Sequence, residues 1–361
     1  MNHRRDLGRV RALGLSGAVA AVALALSGCG GSSDASGGAG HAGGAGANAK
    51  TQLSLVAYST PKKAYDALTG AFAQTSTGHG VGFGESFGAS GSQSRAVASG
   101  QPADVVAFST TPDMTRLVKT KVVTTDWNAN PQKGFASDSV VVMVVRKGNP
   151  KHISGWSDLI KPGVDVVTPN PSTSGSARWN ILAAYGAQLK QGKTPAQALA
   201  FVHTLLTKNV SVQDSSASAA LQTFTTGKGD VLLDYESDAI AAKKAGDSIQ
   251  YIIPKQTILI QTPIAVTAKT LAAGGAKAAA ARAFLAYQWS PAGQKIWGQQ
   301  GYRPVLSTVA KQFSTKFPTP AQLFDIKYLG GWKQVKQQFF APSSGSITKI
   351  EQAAGVPTAS S

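Results

Sequence analysis

Eight residues near the middle of the chain, Ser139-Val140-Val141-Val142-Met143-Val144-Val145-Arg146, constrain the fold more than any other stretch. The run is rich in β-branched residues and has no polar alternation, so it reads as a strand covered on both faces. A strand of that kind needs helices above and below it, which points to an α/β protein. The turn Lys147-Gly148-Asn149-Pro150 ends it.

Segments on either side fit the same class. Upstream, residues 53–58 alternate as a strand, and 64–73 carry Tyr65, Leu68 and Phe72 at helical spacing. Residues 81–84 form a second short strand, 92–99 a helix and 104–108 a third apolar run. Downstream, 164–168, 231–233, 251–253 and 262–267 read as strands, and 177–190, 196–206 and 237–245 as helices. Residues 272–289 read as one long Ala-rich helix, and the remainder as helix and loop. With 361 residues, about two domains are expected. The two sets predict two lobes, each a mostly parallel sheet flanked by helices, with the boundaries 50–142 plus 259–345 for the first lobe and 143–258 for the second. Residues 346–361 are left as a tail. The two sets share no internal sequence repeat.

The first 28 residues read as an export signal rather than structure. Arg4, Arg5, Arg9 and Arg11 form a basic head, and the apolar run over 12–26 is shorter than the roughly 20 residues of a membrane span. Leu26-Ser27-Gly28-Cys29 follows and resembles the bacterial lipoprotein box, in which the cysteine becomes the acylated first residue. Cys29 is the one cysteine of the chain, which excludes a disulfide scaffold and a Cys-cluster metal site. Residues 29–49 are a Gly/Ser/Ala tether. The expectation is an exported protein, lipid-anchored at one end on the outer face of the cytoplasmic membrane.

Several function classes lack their residues. His-Glu-x-x-His, the P-loop and the Gly-x-Ser-x-Gly elbow are absent, and the histidines past the tether are scattered. Ser59-Thr60-Pro61-Lys62 matches the Ser-x-x-Lys of penicillin-recognising enzymes but has no Ser-Asp-Asn or Lys-Thr-Gly partner. The net charge of +17 raises the question of nucleic acid, yet Lys and Arg are dispersed without interleaved aromatics. No cofactor, metal or nucleic-acid partner is expected. Binding of a small molecule is the class that survives.

Three stretches then stand out. Thr168-Pro169-Asn170-Pro171-Ser172-Thr173-Ser174-Gly175-Ser176 leaves a strand and opens a helix through small hydroxyl residues. Ser86-Phe87-Gly88-Ala89-Ser90-Gly91-Ser92 and Asp214-Ser215-Ser216-Ala217-Ser218 do the same. A helix N-terminus presents unpaired N–H groups and the positive end of its dipole. In α/β folds it lies at the carboxyl end of a strand, where ligands bind. Three such turns, if brought together, would surround one oxyanion.

Residues 160–180, Ile-Lys-Pro-Gly-Val-Asp-Val-Val-Thr-Pro-Asn-Pro-Ser-Thr-Ser-Gly-Ser-Ala-Arg-Trp-Asn, resemble the sulfate/thiosulfate-binding proteins of bacterial ABC importers. Val145-Arg146-Lys147-Gly148-Asn149-Pro150, Gly229-Asp230-Val231-Leu232-Leu233, Tyr302-Arg303-Pro304 and Gly330-Gly331-Trp332 do so in the same order. The resemblance implies a two-lobed type II periplasmic-binding-protein fold, with the ligand in the interlobe cleft. It implies ligand contacts at Ser90 and Gly91, at Ser174, Gly175 and Ser176, and at Ala217. It also places Tyr235 where the family has a tryptophan that meets sulfate. Ser59 and Arg178 are expected to support the site.

The chain departs from the family in three places. The family's Tyr-Asp-Pro is Tyr58-Ser59-Thr60-Pro61, without the bracing aspartate. Its Gly-Ala-Arg-Gly loop is Ser216-Ala217-Ser218-Ala219, without the arginine. The tryptophan is Tyr235. The resulting expectation is a monomeric, non-enzymatic binding protein that delivers sulfate, and secondarily thiosulfate, to ABC permease subunits. Molybdate, tungstate or phosphate are the rival ligands, and an exported hydrolase of sulfate or phosphate esters is the rival class.

Overall fold

A computed structural model gives the structure, and it describes residues 49–358. The expected signal over 1–28, Cys29 and nearly all of the tether lie outside these residues. The chain runs β1 (Thr51–Tyr58), α1 (Lys62–Phe72), β2 (Val81–Gly88), α2 (Ser90–Ala98), β3 (Val105–Ala107), α3 (Thr111–Lys119) and β4 (Phe135–Arg146). A second series follows: β5 (Val166–Pro169), α4 (Gly175–Lys190), α5 (Pro195–Thr204), β6 (Val210–Asp214), α6 (Ala217–Thr225), β7 (Val231–Tyr235), α7 (Glu236–Ala245), β8 (Ile249–Ile252) and β9 (Gln256–Val266). The chain ends with α8 (Ala268–Ala273), α9 (Gly275–Gln288), α10 (Pro291–Gln299), α11 (Ser307–Ala310), β10 (Gln322–Phe324), α12 (Gly331–Phe339) and α13 (Ser346–Ala353).

The strand order is β2-β1-β3-β9-β4-β7-β5-β6, with β10 beside β9 and β8 beside β4. It is two copies of one arrangement. In the first, β1 pairs in parallel with β2 and β3, and β9 closes the set antiparallel to β3. In the second, β5 pairs in parallel with β6 and β7, and β4 closes it antiparallel to β7. The parallel expectation therefore describes three strands in each lobe, and the long antiparallel strands make the sheet mixed. Strands β4 and β9 pair with each other over 135–140 and 259–263 and continue into both sets. The expected changes of lobe, after 142 and after 258, fall within these two strands.

The apolar run in β4 behaves as its composition requires. Val141, Met143 and Val145 pack with Trp179, Leu182 and Tyr185 of α4. Val140, Val142 and Val144 point the other way, toward Phe224 of α6 and Ala239 and Ala242 of α7. Side chains of a strand alternate between faces, so one continuous run serves two cores. In the first lobe, Leu53, Leu55 and Ala57 of β1 meet Leu68, Phe72, Phe284 and Trp297, while Val56 faces Val97, Met114 and Leu117.

Three expectations about elements need correction. The helix over 272–289 is two helices, because Gly274 takes φ +64° and ψ −157°, a conformation open to glycine and not to alanine. Helix α3 lies in a stretch that had no element assigned. Strand β10 forms within the closing helix-and-loop region, where it adds to the edge of β9.

Candidate functional site

The strands of both lobes direct their carboxyl ends toward one cleft. The turns after β1, β2, β3, β5 and β6 line one small cavity. From the first lobe it is lined by Tyr58, Ser59 and Thr60, by Gly88, Ala89 and Ser90, and by Ser109. From the second it is lined by Ser174, Gly175 and Ser176, and by Ser216 and Ala217. None of these side chains is charged.

Each helix start has a local cause. Ser174 is the N-cap of α4, and its Oγ accepts from Ala177 N at 3.4 Å. Ser216 caps α6 in the same way, accepting from Ala219 N at 3.2 Å. These caps satisfy the third N–H of each helix, so the first two, at Gly175 and Ser176 and at Ala217 and Ser218, have no intrahelical acceptor. Ser90 opens α2 after the extended Ala89. The N-termini of α2, α4 and α6 thus meet at one cavity with their dipoles favouring an anion.

Two buried hydroxyls on its wall make no well-formed hydrogen bond with the described residues: Ser176 Oγ lies beside the Tyr235 hydroxyl, and Tyr58 Oη beside the Thr262 side chain. A buried polar group left unpaired is costly, and both groups belong to the cavity lining. Both hydroxyls can donate to a ligand.

The lobes touch around the cavity. Gly91 N donates to Thr173 O at 2.9 Å, and Ser218 Oγ donates to Ser59 Oγ at 2.9 Å. Trp179 Nε1 donates to Ser109 O at 2.8 Å. Glycine is required at two of the contacts. A Cβ on Gly91 would stand 2.7 Å from Thr173 O, and one on Gly175 would collide with Ser109 Oγ. This is the closed arrangement of the two lobes.

Asp113 braces the first lobe's half of the site. It is fully buried, and it accepts from Ser90 Oγ at 2.7 Å, Thr110 Oγ1 at 2.9 Å and Arg116 Nη1 at 3.0 Å. Ser90 Oγ in turn accepts from Ser109 N at 3.0 Å. The Ser90 hydroxyl is therefore committed to Asp113, and its backbone N–H is what it offers the cavity.

Of the expected ligand residues, Ser90, Ser174, Gly175, Ser176 and Ala217 line the cavity, as does Ser59. Gly91 instead seals the interlobe contact. Tyr235 requires correction: it stands one layer behind the cavity. Its ring is wholly buried in the second lobe's core, and its hydroxyl shares a hydrogen bond of 2.8 Å with Ser109 Oγ. Burial pushes its pKa far above the ordinary tyrosine value, with Ser109 and the nearby Ser176 pulling the other way. Arg178 also lies outside the cavity, with Nε donating to Pro171 O at 2.9 Å. The sequence reading missed Ser109 and Asp113. Phe108-Ser109-Thr110, at the end of an apolar run, repeats the strand-then-hydroxyl pattern of the other turns. Thr110-Thr111-Pro112-Asp113 has the spacing of a helix-start motif.

The family described as bacterial extracellular solute-binding protein matches residues 53–303. The chain belongs to this family. Among its relatives, a sulfate-binding protein of Synechococcus elongatus is 38% identical over 307 residues, covering 84% of this chain and 87% of the relative. A thiosulfate-binding protein of Pseudomonas aeruginosa is 34% identical, covering 81% and 90%. Among solved structures, the sulfate-binding protein SubI from Mycobacterium tuberculosis superposes with a TM-score of 0.77 at 44% identity, covering 81% of this chain and all of that one. The two-lobed fold of this solute-binding protein follows from that similarity. No described helix is long and apolar enough to cross a membrane, and no described group of His, Cys, Asp and Glu could hold a metal ion.

Proposed function

We propose that this solute-binding protein captures sulfate, with thiosulfate as a second ligand, in the closed interlobe cavity and delivers it to the permease of an ABC importer. Its activity is binding rather than catalysis, and Cys29 carries its lipid anchor. The family and the named relatives supply the class. The observation that carries the choice of ligand is a cavity at the N-termini of three helices whose lining holds no charged side chain.

A sulfate dianion near neutral pH has only acceptor oxygens. Each oxygen can be met by a helix N–H or a hydroxyl, and the charge by three helix dipoles. Phosphate keeps a proton at this pH and needs an acceptor. No carboxylate lines the cavity. Asp113, behind Ser90, already holds three donors, and Glu236 is paired with Arg303 at 2.7 Å. Binding of sulfate is expected to exceed that of phosphate at least a hundredfold, about 2.7 kcal/mol. Competitive titration at pH 6 and pH 8 tests this. Phosphate binding as tight as sulfate at either pH would refute the assignment.

A further inference from the structure

A second cavity, of about 580 Å³ and open on one side, lies on the far side of Asp113 from the oxyanion cavity. It is bounded by α2 and α3 of the first lobe, by Pro171 and Ser172 and the start of α4 in the second, and by α12 and α13. Four cations stand on its walls: Arg95, Arg116, Arg178 and Lys336. Of these four, only Arg116 has a carboxylate of the described residues within ion-pair distance, and that carboxylate is Asp113.

The arginines are held in place. Arg95 donates to Ser172 O and to Ser92 Oγ, both at 3.3 Å. Arg116 donates to Ser94 Oγ at 2.8 Å. Arg178 is anchored on Pro171 O, with its guanidinium 5.4 Å from the centre of the Phe340 ring. A guanidinium has five N–H donors, so each retains donors for a ligand. Burial lowers the pKa of Arg95 and Arg178, and repulsion from neighbouring arginines lowers both further. Burial and the cations Lys119, Arg116 and Arg178 do the same to Lys336. Asp113 acts the other way on all three, so four cations share this one carboxylate as their counter-charge.

The rest of the wall is of a different kind. Phe340, Ile347 and Pro342 supply an apolar surface. Glu351 is 1% exposed, accepts from Gln213 Nε2 at 2.9 Å through Oε2, and leaves Oε1 without a partner among the described residues. Fixed guanidiniums suit the oxygens of a phosphoryl group. A lone carboxyl group suits the proton such a group can carry, which a sulfate ester lacks. The apolar surface suits an organic body.

We propose that this cavity is a second ligand site, which binds an organic phosphate monoester with its phosphate among Arg95, Arg116, Arg178 and Lys336 and its body on Phe340 and Ile347. The ligand touches elements of both lobes. The proposal does not depend on which anion fills the smaller cavity.

Calorimetric titration of the full-length protein, preloaded with one equivalent of sulfate, provides the test, with phenyl phosphate, phenyl sulfate and inorganic phosphate as probes. Phenyl phosphate is expected to bind one to one, at least tenfold more tightly than either other probe. Lys336→Gln, at an exposed position on the cavity rim, is expected to weaken phenyl phosphate about tenfold, one charge-assisted contact, and to leave sulfate binding unchanged. Equal affinity for phenyl phosphate and inorganic phosphate would reduce the cavity to a basic patch and overturn the proposal. So would the absence of binding, competition with sulfate, or an unaltered titration in Lys336→Gln. Failure of sulfate to bind at all would count against the importer function alone, because the phenyl phosphate titration can be read without it.

Discussion

Ser174 combines two tasks, capping α4 and lining the cavity, and no neighbour can replace it. Thr173 precedes it, but its hydroxyl donates to Ser215 O at 2.7 Å. Ser174→Ala is therefore expected to lower sulfate affinity by about 1.5–3 kcal/mol, the worth of a hydrogen bond to a charged group. It should also lower stability by about 0.5–2 kcal/mol, the usual value of an N-cap. Titration and thermal melts of the same variant separate the two. Gly175 acts through what it lacks. Gly175→Ala places a methyl group against Ser109 Oγ, so the lobes should fail to close. Sulfate affinity is expected to fall at least tenfold, and small-angle scattering with sulfate present should show a larger radius of gyration than for wild type. At this scale the sequence was legible wherever a residue's role is local, as at the small-residue turns that start α2, α4 and α6. Tyr235's role was not legible because its partner Ser109 is 126 residues away; Asp113 has local partners in Thr110 and Arg116, and what was not legible is its bond to Ser90, 23 residues away.

Helix α7 opens with acidic residues in its first turn. Burial pushes Asp238 up to about 7, against weaker lowering by Asp234 and Thr60. Burial raises Asp234 as well, and Asp238 raises it further. An unfolded aspartate titrates near 3.9. Between about pH 4 and pH 7 the folded chain thus binds more protons here than the unfolded one. The stability this contributes is complete below about pH 4 and is lost as pH rises through about 7. In Asp238→Asn the loss of melting temperature between pH 5 and pH 8 should be smaller than in wild type. It should not vanish, because burial also raises Glu85 and Asp138 to about 7. Thermal melts across that range check the sign. Elements were legible where composition decides them: β4 by its valines, α4 by its small-residue start and apolar body. The break at Gly274 was hidden by the alanines around it. Strand β10, three residues long, exists because β9 offers it an edge, a cause that no short window of sequence contains.

Across the whole molecule, the order β2-β1-β3-β9 recurs as β6-β5-β7-β4, although the two halves share no sequence repeat. What the halves share is a rhythm of strand, turn and helix, and that rhythm is enough to predict two lobes. It cannot predict that β4 and β9 would be continuous through both, because each reads locally as an ordinary strand. The N-terminal 48 residues lie outside the described residues and carry a separate prediction. Cys29→Ser should move the protein from the membrane fraction to the soluble envelope fraction or the medium, with sulfate affinity unchanged. Fractionation and titration of the same preparation check both halves of that statement.

The uncharged wall of the small cavity has an electrical consequence. A site that met sulfate with two cationic side chains would be locally neutral once loaded and doubly positive when empty. Here the donors bring only dipoles, so the site is neutral when empty and carries the passenger's double negative charge, with no fixed cation against it, when full. Isoelectric focusing should resolve the two forms as separate bands. A docking surface outside the cavity could distinguish full from empty by potential as well as by shape.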